Sequence, residues 1–231
     1  MKSFKMYASS INERYLDELA EILRRGGVII YPTDSLYAIG CDALSNRAVE
    51  RVCRLKNINP AKQRLSMVCS SISQASEYAR IDNEAFRLLR ANLPGPFTFI
   101  LPASTKLAKA FKGRHEVGLR VPDNPIAQRI AETLGNPILS SSVGAPPADT
   151  FDASSHGSSA GASSRGDSAG ASPFSTDHIV VHPDEIMLMF ENDIDAMVDG
   201  GTVPGTPTAI IDLTDTAAPQ ILRDGPLPLT E

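Results

Sequence analysis

The chain has 231 residues, 42% of them hydrophobic and none tryptophan, with a formal net charge of −5. This length and composition exclude an intrinsically disordered chain and a small disulfide-stapled scaffold, and fit a soluble globular domain with a real core. The charge is uneven: residues 1–135 carry 20 basic and 13 acidic side chains (+7), whereas residues 136–231 carry 2 and 14 (−12). A basic first part suits an anionic ligand such as a nucleotide or RNA, and equally a solvated charged surface.

Residues 1–7 lack the apolar run of a signal peptide, and no stretch approaches the length of a membrane span, so a cytoplasmic protein is expected. Cys41, Cys53 and Cys69 are odd in number, far apart and without a C-x-x-C. They read as reduced, packed thiols rather than a disulfide frame, and no metal site is expected.

In chain order, the first helix is predicted over 12–25. Asn12 is its cap, Tyr15, Leu16, Leu19, Ile22 and Leu23 form its apolar stripe, and Gly26-Gly27 form its stop. Val28-Ile29-Ile30-Tyr31 then reads as a strand buried on both faces, ended by Pro32. A second helix fits 45–56 with Ser45 as cap, broken by Asn57-Ile58-Asn59-Pro60. A strand over 65–69 follows, then helical stretches near 71–80 and 83–92, a strand over 97–101, helix over 104–112 and strand over 117–121. A helix over 125–134 has Pro125 at its first position, and a strand over 138–140 opens into Ser140-Ser141-Ser142.

Residues 153–175 are almost entirely Ser, Gly and Ala, with an internal echo between 158–163 and 167–172. Such a segment buries too little apolar surface to offset its ordering entropy, which predicts a disordered surface insertion. Order is expected to resume with a strand over 178–181, a helix over 183–192, and strands near 196–199, 208–213 and 220–223. Interleaved strands and helices without strict alternation favour one α/β domain, over 12–225, built on a mixed sheet.

Three patches carry candidate chemistry. Thr33, Asp34 and Ser35 follow a buried strand, either as an ordinary polar turn or at the strand end where ligands bind in open α/β sheets. Arg51, Arg54, Lys56, Lys62 and Arg64, with no acid between them, suit phosphates or form a solvated basic face. Ser140–142 at a strand end, followed by Val143-Gly144, offer hydroxyl and N–H donors to an anion. No P-loop, G-x-G-x-x-G or G-x-S-x-G occurs, and the four histidines show no partner pattern.

The ordered motifs then become recognisable. They are Tyr31-Pro32-Thr33-Asp34-Ser35 with Gly40-Cys41, Leu93-Pro94-Gly95-Pro96-Phe97-Thr98, Gly118-Leu119-Arg120-Val121-Pro122 with Asn124-Pro125, and Pro137-Ile138-Leu139-Ser140-Ser141-Ser142. Asp199-Gly200-Gly201 and Leu222-Arg223-Asp224-Gly225 complete the series. Together they resemble the YrdC-like family, most closely its YciO branch, over nearly the whole chain except 145–177. The resemblance implies a twisted open mixed sheet around a positively charged concave cavity. It also implies synthesis of threonylcarbamoyl-adenylate from L-threonine, bicarbonate and ATP with Mg²⁺, in service of tRNA modification, and a link to double-stranded RNA.

By the same resemblance, Lys56 and Ser142 are the catalytic candidates. Thr33 and Arg120 would hold threonine, Ser140 would line the junction, and Arg223 would reach the nucleotide. Two departures stand out. The K-x-R of catalytic members reads Lys56-Asn57-Ile58, and their S-x-N reads Ser142-Val143-Gly144. Lys62 and Arg64 are candidate substitutes for the missing Arg. A third departure, Thr208-Ala209-Ile210 in place of S-T-V, loses one more hydroxyl. The alternative to an enzyme is an RNA-binding or regulatory paralogue that keeps the pocket.

Overall fold

The computed structural model describes residues 1–57, 59, 66–104, 115–143 and 179–230. Ile58, Lys62, Arg64, Gly144, all but the first residue of the expected helix over 104–112, and the expected insertion over 153–175 lie outside the described residues.

Helix α1 (Glu13–Arg24) starts where Asn12 Oδ1 accepts the N–H of Arg14. It buries Leu16, Leu19, Ala20 and Leu23, the stripe read from the sequence. Helix α2 (Asn46–Leu55) is capped by Ser45, and its buried residues are Ala48, Val49, Val52 and Cys53. Asp82 caps α4 (Asn83–Asn92) and Asn124 caps α5 (Pro125–Leu134). Gly135 ends α5 with a φ of 80°, a left-handed conformation glycine adopts without steric cost. Helix α6 (Pro183–Phe190) carries Asp184 and Glu185 in its first turn, where acids complement the helix dipole.

The strands are β1 (Lys2–Lys5), β2 (Val28–Tyr31), β3 (Ala38–Asp42), β4 (Ser66–Val68), β5 (Phe97–Pro102), β6 (Glu116–Arg120), β7 (Ile138–Ser142), β8 (Ala196–Asp199), β9 (Ala209–Asp212) and β10 (Gln220–Arg223). Among the described residues they form one mixed sheet in the order β1-β8-β2-β3-β7-β4-β6-β5-β9-β10. The fold is α/β, as the sequence pattern predicts. Helices α1 and α5 pack with Ile29, Tyr31, Ala38, Val68 and Ile138 on one face. Helices α2, α4 and α6 cover the other, with Val28, Ile30, Ile39, Met67 and Leu119.

The structure departs from the sequence expectation at five places. Strands β1 and β3 have no signature in the pattern; β3 reads Ala-Ile-Gly-Cys-Asp, yet all five residues are buried between two neighbours. Strand β7 continues through Ser142 instead of opening at Ser140, because Ala38 pairs with Ser142 and holds it in the ladder. The helix over 71–80 shortens to α3 (Ile72–Ala75), since the Ala79–Ala103 bridge and the Arg80 N–H to Pro102 O bond pull the chain away from helical geometry. Of the strand expected over 178–181, the described residues 179–181 form none; the Val203 N–H reaches Val181 O across 3.4 Å, too isolated a contact to make a ladder.

Candidate functional site

Successive strand residues alternate between faces, so residues opposite one another in register share a face. Gly40 pairs with Ser140, Ser140 with Ser66, and Ser66 with Gly118. Four small residues therefore line up across β3, β7, β4 and β6 on the face shared with Tyr31. Two of the positions have no room for more. A Cβ on Gly40 would lie 2.6 Å from Ile138 Cγ2 and 2.9 Å from Tyr31 Cε1, and one on Gly118 would lie 2.8 Å from Ser66 Oγ.

The Tyr31 ring lies along this floor, and its hydroxyl donates to Ser140 Oγ at 3.0 Å. Burial pushes the Tyr31 phenol up to about 12, so it stays a protonated donor at neutral pH.

The six residues between β2 and β3 reach toward β6. Thr33 Oγ1 donates to Leu36 O at 2.6 Å and accepts the N–H groups of Ser35 and Leu36 at 3.2 and 3.3 Å. This is a hydroxyl-built turn, in which the Thr33 hydroxyl is committed to the backbone. It also lies 3.0 Å from Ser35 Oγ. Arg120, at the end of β6, donates from Nη2 to Asp34 Oδ1 and to Ser35 Oγ, both at 3.0 Å. The other carboxylate oxygen of Asp34 accepts the Asp123 N–H at 2.8 Å. Arg120 is 6% exposed, and its Nε is a buried donor with no acceptor among the described residues.

A polar row continues from Arg120 toward the sheet edge. Thr98 precedes the Phe99–Leu119 pair by one residue, and Ile210, opposite Thr98, is in turn opposite Arg223. The hydroxyls of Thr98 and Thr208 are 2.9 Å apart, and Arg223 Nε donates to Thr208 O at 3.0 Å.

On the other side, Lys56 caps α2 and extends its ammonium to Ser142 O at 2.8 Å. Lys56 is 5% exposed, and desolvation lowers its pKa from 10.5 to about 8. A cavity of about 470 Å³ adjoins the Thr33 turn, with Pro32, Thr33, Asp34, Asp123 and Asn124 in its wall. Among the described residues no group of three or more His, Cys, Asp or Glu converges on a point where a metal ion would sit.

The structure thus joins Thr33 to Arg120 through Ser35, Lys56 to Ser142, and Ser140 to Tyr31, while Arg223 is engaged at Thr208. Sequence reasoning did not single out Tyr31, Ser66, Thr98 and the Asp34–Arg120 pair. Thr98 and Gly40 sit inside the recognised motifs, which is a usable signal. Tyr31 shares that signal as the first residue of its motif, whereas Ser66 carries none, because a strand residue reads as core until its cross-strand neighbour is known.

Comparisons with known proteins agree with this architecture. The Sua5/yciO/yrdC family model, described as "Telomere recombination", matches residues 21–156. The uncharacterized protein YciO of Escherichia coli is 34% identical over 224 residues, covering 96% of this chain and 94% of that protein. A threonylcarbamoyl-AMP synthase of Vibrio campbellii is 30% identical over 143 residues, 59% of this chain and 77% of that one. The crystal structure of E. coli YciO superimposes with a TM-score of 0.79 at 33% identity, covering 98% of this chain and 97% of that one. P. abyssi Sua5 complexed with L-threonine gives 0.78 at 26% identity, covering 99% of this chain and 59% of that one.

Proposed function

The chain belongs to the Sua5/YciO/YrdC family, and from that premise we propose that it binds L-threonine, bicarbonate and ATP in the cytoplasm and works in threonylcarbamoyl-adenylate chemistry. The observation that carries this reading is Arg120 Nε, a buried donor beside Ser35 and the Thr33 turn that finds no acceptor among the described residues. Leaving such a donor unpaired is costly, and a ligand carboxylate supplies the missing acceptor. The complex of P. abyssi Sua5 with L-threonine makes an amino-acid carboxylate the natural candidate.

In this reaction threonine's amine combines with bicarbonate, losing water, to give a carbamate. A carbamate oxygen then attacks the α-phosphorus of ATP, and the bond to pyrophosphate breaks. Two anions must meet, so positioned cations and hydroxyl donors supply the stabilisation. Lys56, with its pKa near 8, is mostly cationic at neutral pH and sits where it can face the phosphates. Arg120 fixes the amino acid, Ser140 and Ser142 line the junction, and Arg223 reaches the nucleotide edge. A Mg²⁺ ion enters with the triphosphate as part of the substrate, since it keeps phosphate oxygens and water as ligands.

Ile58 and Gly144, which stand where the catalytic pattern has Arg and Asn, favour a second reading. In it the protein is an RNA- or tRNA-binding or regulatory paralogue with little turnover. The test is pyrophosphate release from ATP with threonine and bicarbonate each present or absent. Native activity is expected to be slow, and Ile58→Arg with Gly144→Asn is expected to raise turnover by about 10², the scale of one positioned donor. A double variant that binds ATP and stays inert rejects the synthase reading. Retention of double-stranded RNA at physiological salt by the same sample then supports the alternative.

A further inference from the structure

A second cleft, of about 800 Å³, opens where β4 and β6 end. These two strands are parallel neighbours, Val68 pairing with Arg120. Ser70 and Ser71 follow the first strand and Val121 follows the second. The crevice outside the carboxyl ends of parallel strands is where open α/β sheets hold ligands. The cleft shares no lining residue with the cavity beside Thr33, and its volume lies in the range of about 300–1,000 Å³ of small-molecule sites.

Its chemistry is unlike that of the Arg120 site. The walls are apolar, formed by Ile72, Ile81, Phe86, Leu93, Pro94 and Val121. Phe86 is 46% exposed, so its side chain is accessible to a ligand. The rim carries the Ser70 and Ser73 hydroxyls and the Asn83 amide, which make no hydrogen bond among the described residues. Among the described residues Asp82 is the one charged residue in the lining, and both of its carboxylate oxygens are used. One accepts the Ala85 N–H at 2.8 Å, the other the Thr216 hydroxyl at 2.7 Å. Among the described residues no Lys or Arg lines the cleft, so a phosphate there would meet no counter-charge from them.

An apolar lining that includes a half-exposed aromatic side chain suits a stacked ring, because every nucleobase has a π-face. Free hydroxyls and an amide at the rim suit the edges of a base and the hydroxyls of a sugar. Among the described residues the lining holds no cation to pair with a phosphate, which favours the uncharged form over the nucleotide. We propose that this cleft is a binding site for an uncharged nucleoside, its base stacked against Phe86 and its sugar facing the serine rim.

The experiment is a residue-resolved NMR titration of the full chain with adenosine and uridine as probes, repeated with AMP. Adenosine or uridine is expected to shift the amides of Ile81, Phe86 and Val121, and AMP to shift the same amides with at least fivefold lower affinity. Phe86→Ala is expected to weaken nucleoside binding about tenfold, as loss of a base–aromatic stack does. Its melting temperature should be near native, because the side chain is half exposed. Lys56→Met should leave nucleoside affinity at this cleft unchanged. The proposal is overturned if neither nucleoside binds at millimolar concentration, or if AMP binds these amides as tightly. It is also overturned if the shifts cluster around Arg120 and Lys56 and disappear in Lys56→Met. The threonylcarbamoyl-adenylate reading is unaffected by any of these results, since its own assay follows pyrophosphate.

Discussion

Lys56 and Ser142 join the end of α2 to the end of β7: the ammonium of one donates to the carbonyl of the other across 2.8 Å, in surroundings that leave Lys56 5% exposed. The contact spans 86 residues of sequence and places a cation beside a row of serines. Burial opposes its charge, which is why its pKa falls to about 8.

Ligand binding is therefore expected to depend on pH. The affinity for ATP, measured by calorimetry from pH 6.5 to 9.5, should fall as pH rises through about 8. Lys56→Met should cost about 1.5–3 kcal/mol of affinity at pH 7, the scale of a charged hydrogen bond, and flatten the profile. The linkage to folding has the opposite sign. Because the folded pKa lies below the ordinary 10.5, the unfolded chain binds more protons between the two values, and Lys56 contributes increasing stability as pH rises through that window. A profile in Lys56→Met matching that of the native protein would assign the titration to another group.

Asp34 and Arg120 form an ion pair with side chains 7% exposed on both sides. Asp34→Ala would leave a buried guanidinium without its counter-ion and is expected to destabilise the fold by about 3–5 kcal/mol in urea denaturation. Asp34→Leu combined with Arg120→Met should recover most of that loss, since burying neither charge avoids the desolvation cost. A double variant as unstable as Asp34→Ala would show that the pair acts through the Asp123 N–H contact instead.

Gly40→Ala tests the floor of small residues. Its Cβ would meet Ile138 Cγ2 at 2.6 Å and the carbonyl of Leu139 at 2.7 Å, and the backbone oxygen cannot rotate aside. Overpacking of this kind costs about 1–3 kcal/mol. The Tyr31–Ser140 hydrogen bond should loosen with it, because the Tyr31 ring is the third contact, at 2.9 Å. A melting temperature equal to that of the native protein would mean that β3 shifts freely within the sheet.

Much of the local structure is written in the sequence. Asn12, Ser45 and Pro125 announce the starts of α1, α2 and α5, and the apolar stripes tell which sides of α1 and α2 are buried. Three residues of unbroken hydrophobicity followed by Pro32 locate β2 and its end. These features depend on neighbours within four residues, where capping and helical periodicity act. The family motifs also mark Thr33, Lys56, Arg120, Ser140, Ser142 and Arg223 as a set. Tertiary structure alone decided how that set is wired. Strand β3 exists because β2 and β7 pair with both of its edges, and nothing in Ala-Ile-Gly-Cys-Asp demands it. The row Gly40, Ser140, Ser66 and Gly118 gathers four positions from distant parts of the chain, and Arg120 finds Asp34 from 86 residues away. Register and buried charge pairing are set by which strands become neighbours, a free-energy choice made over the whole sheet, and residues close in sequence carry no record of it.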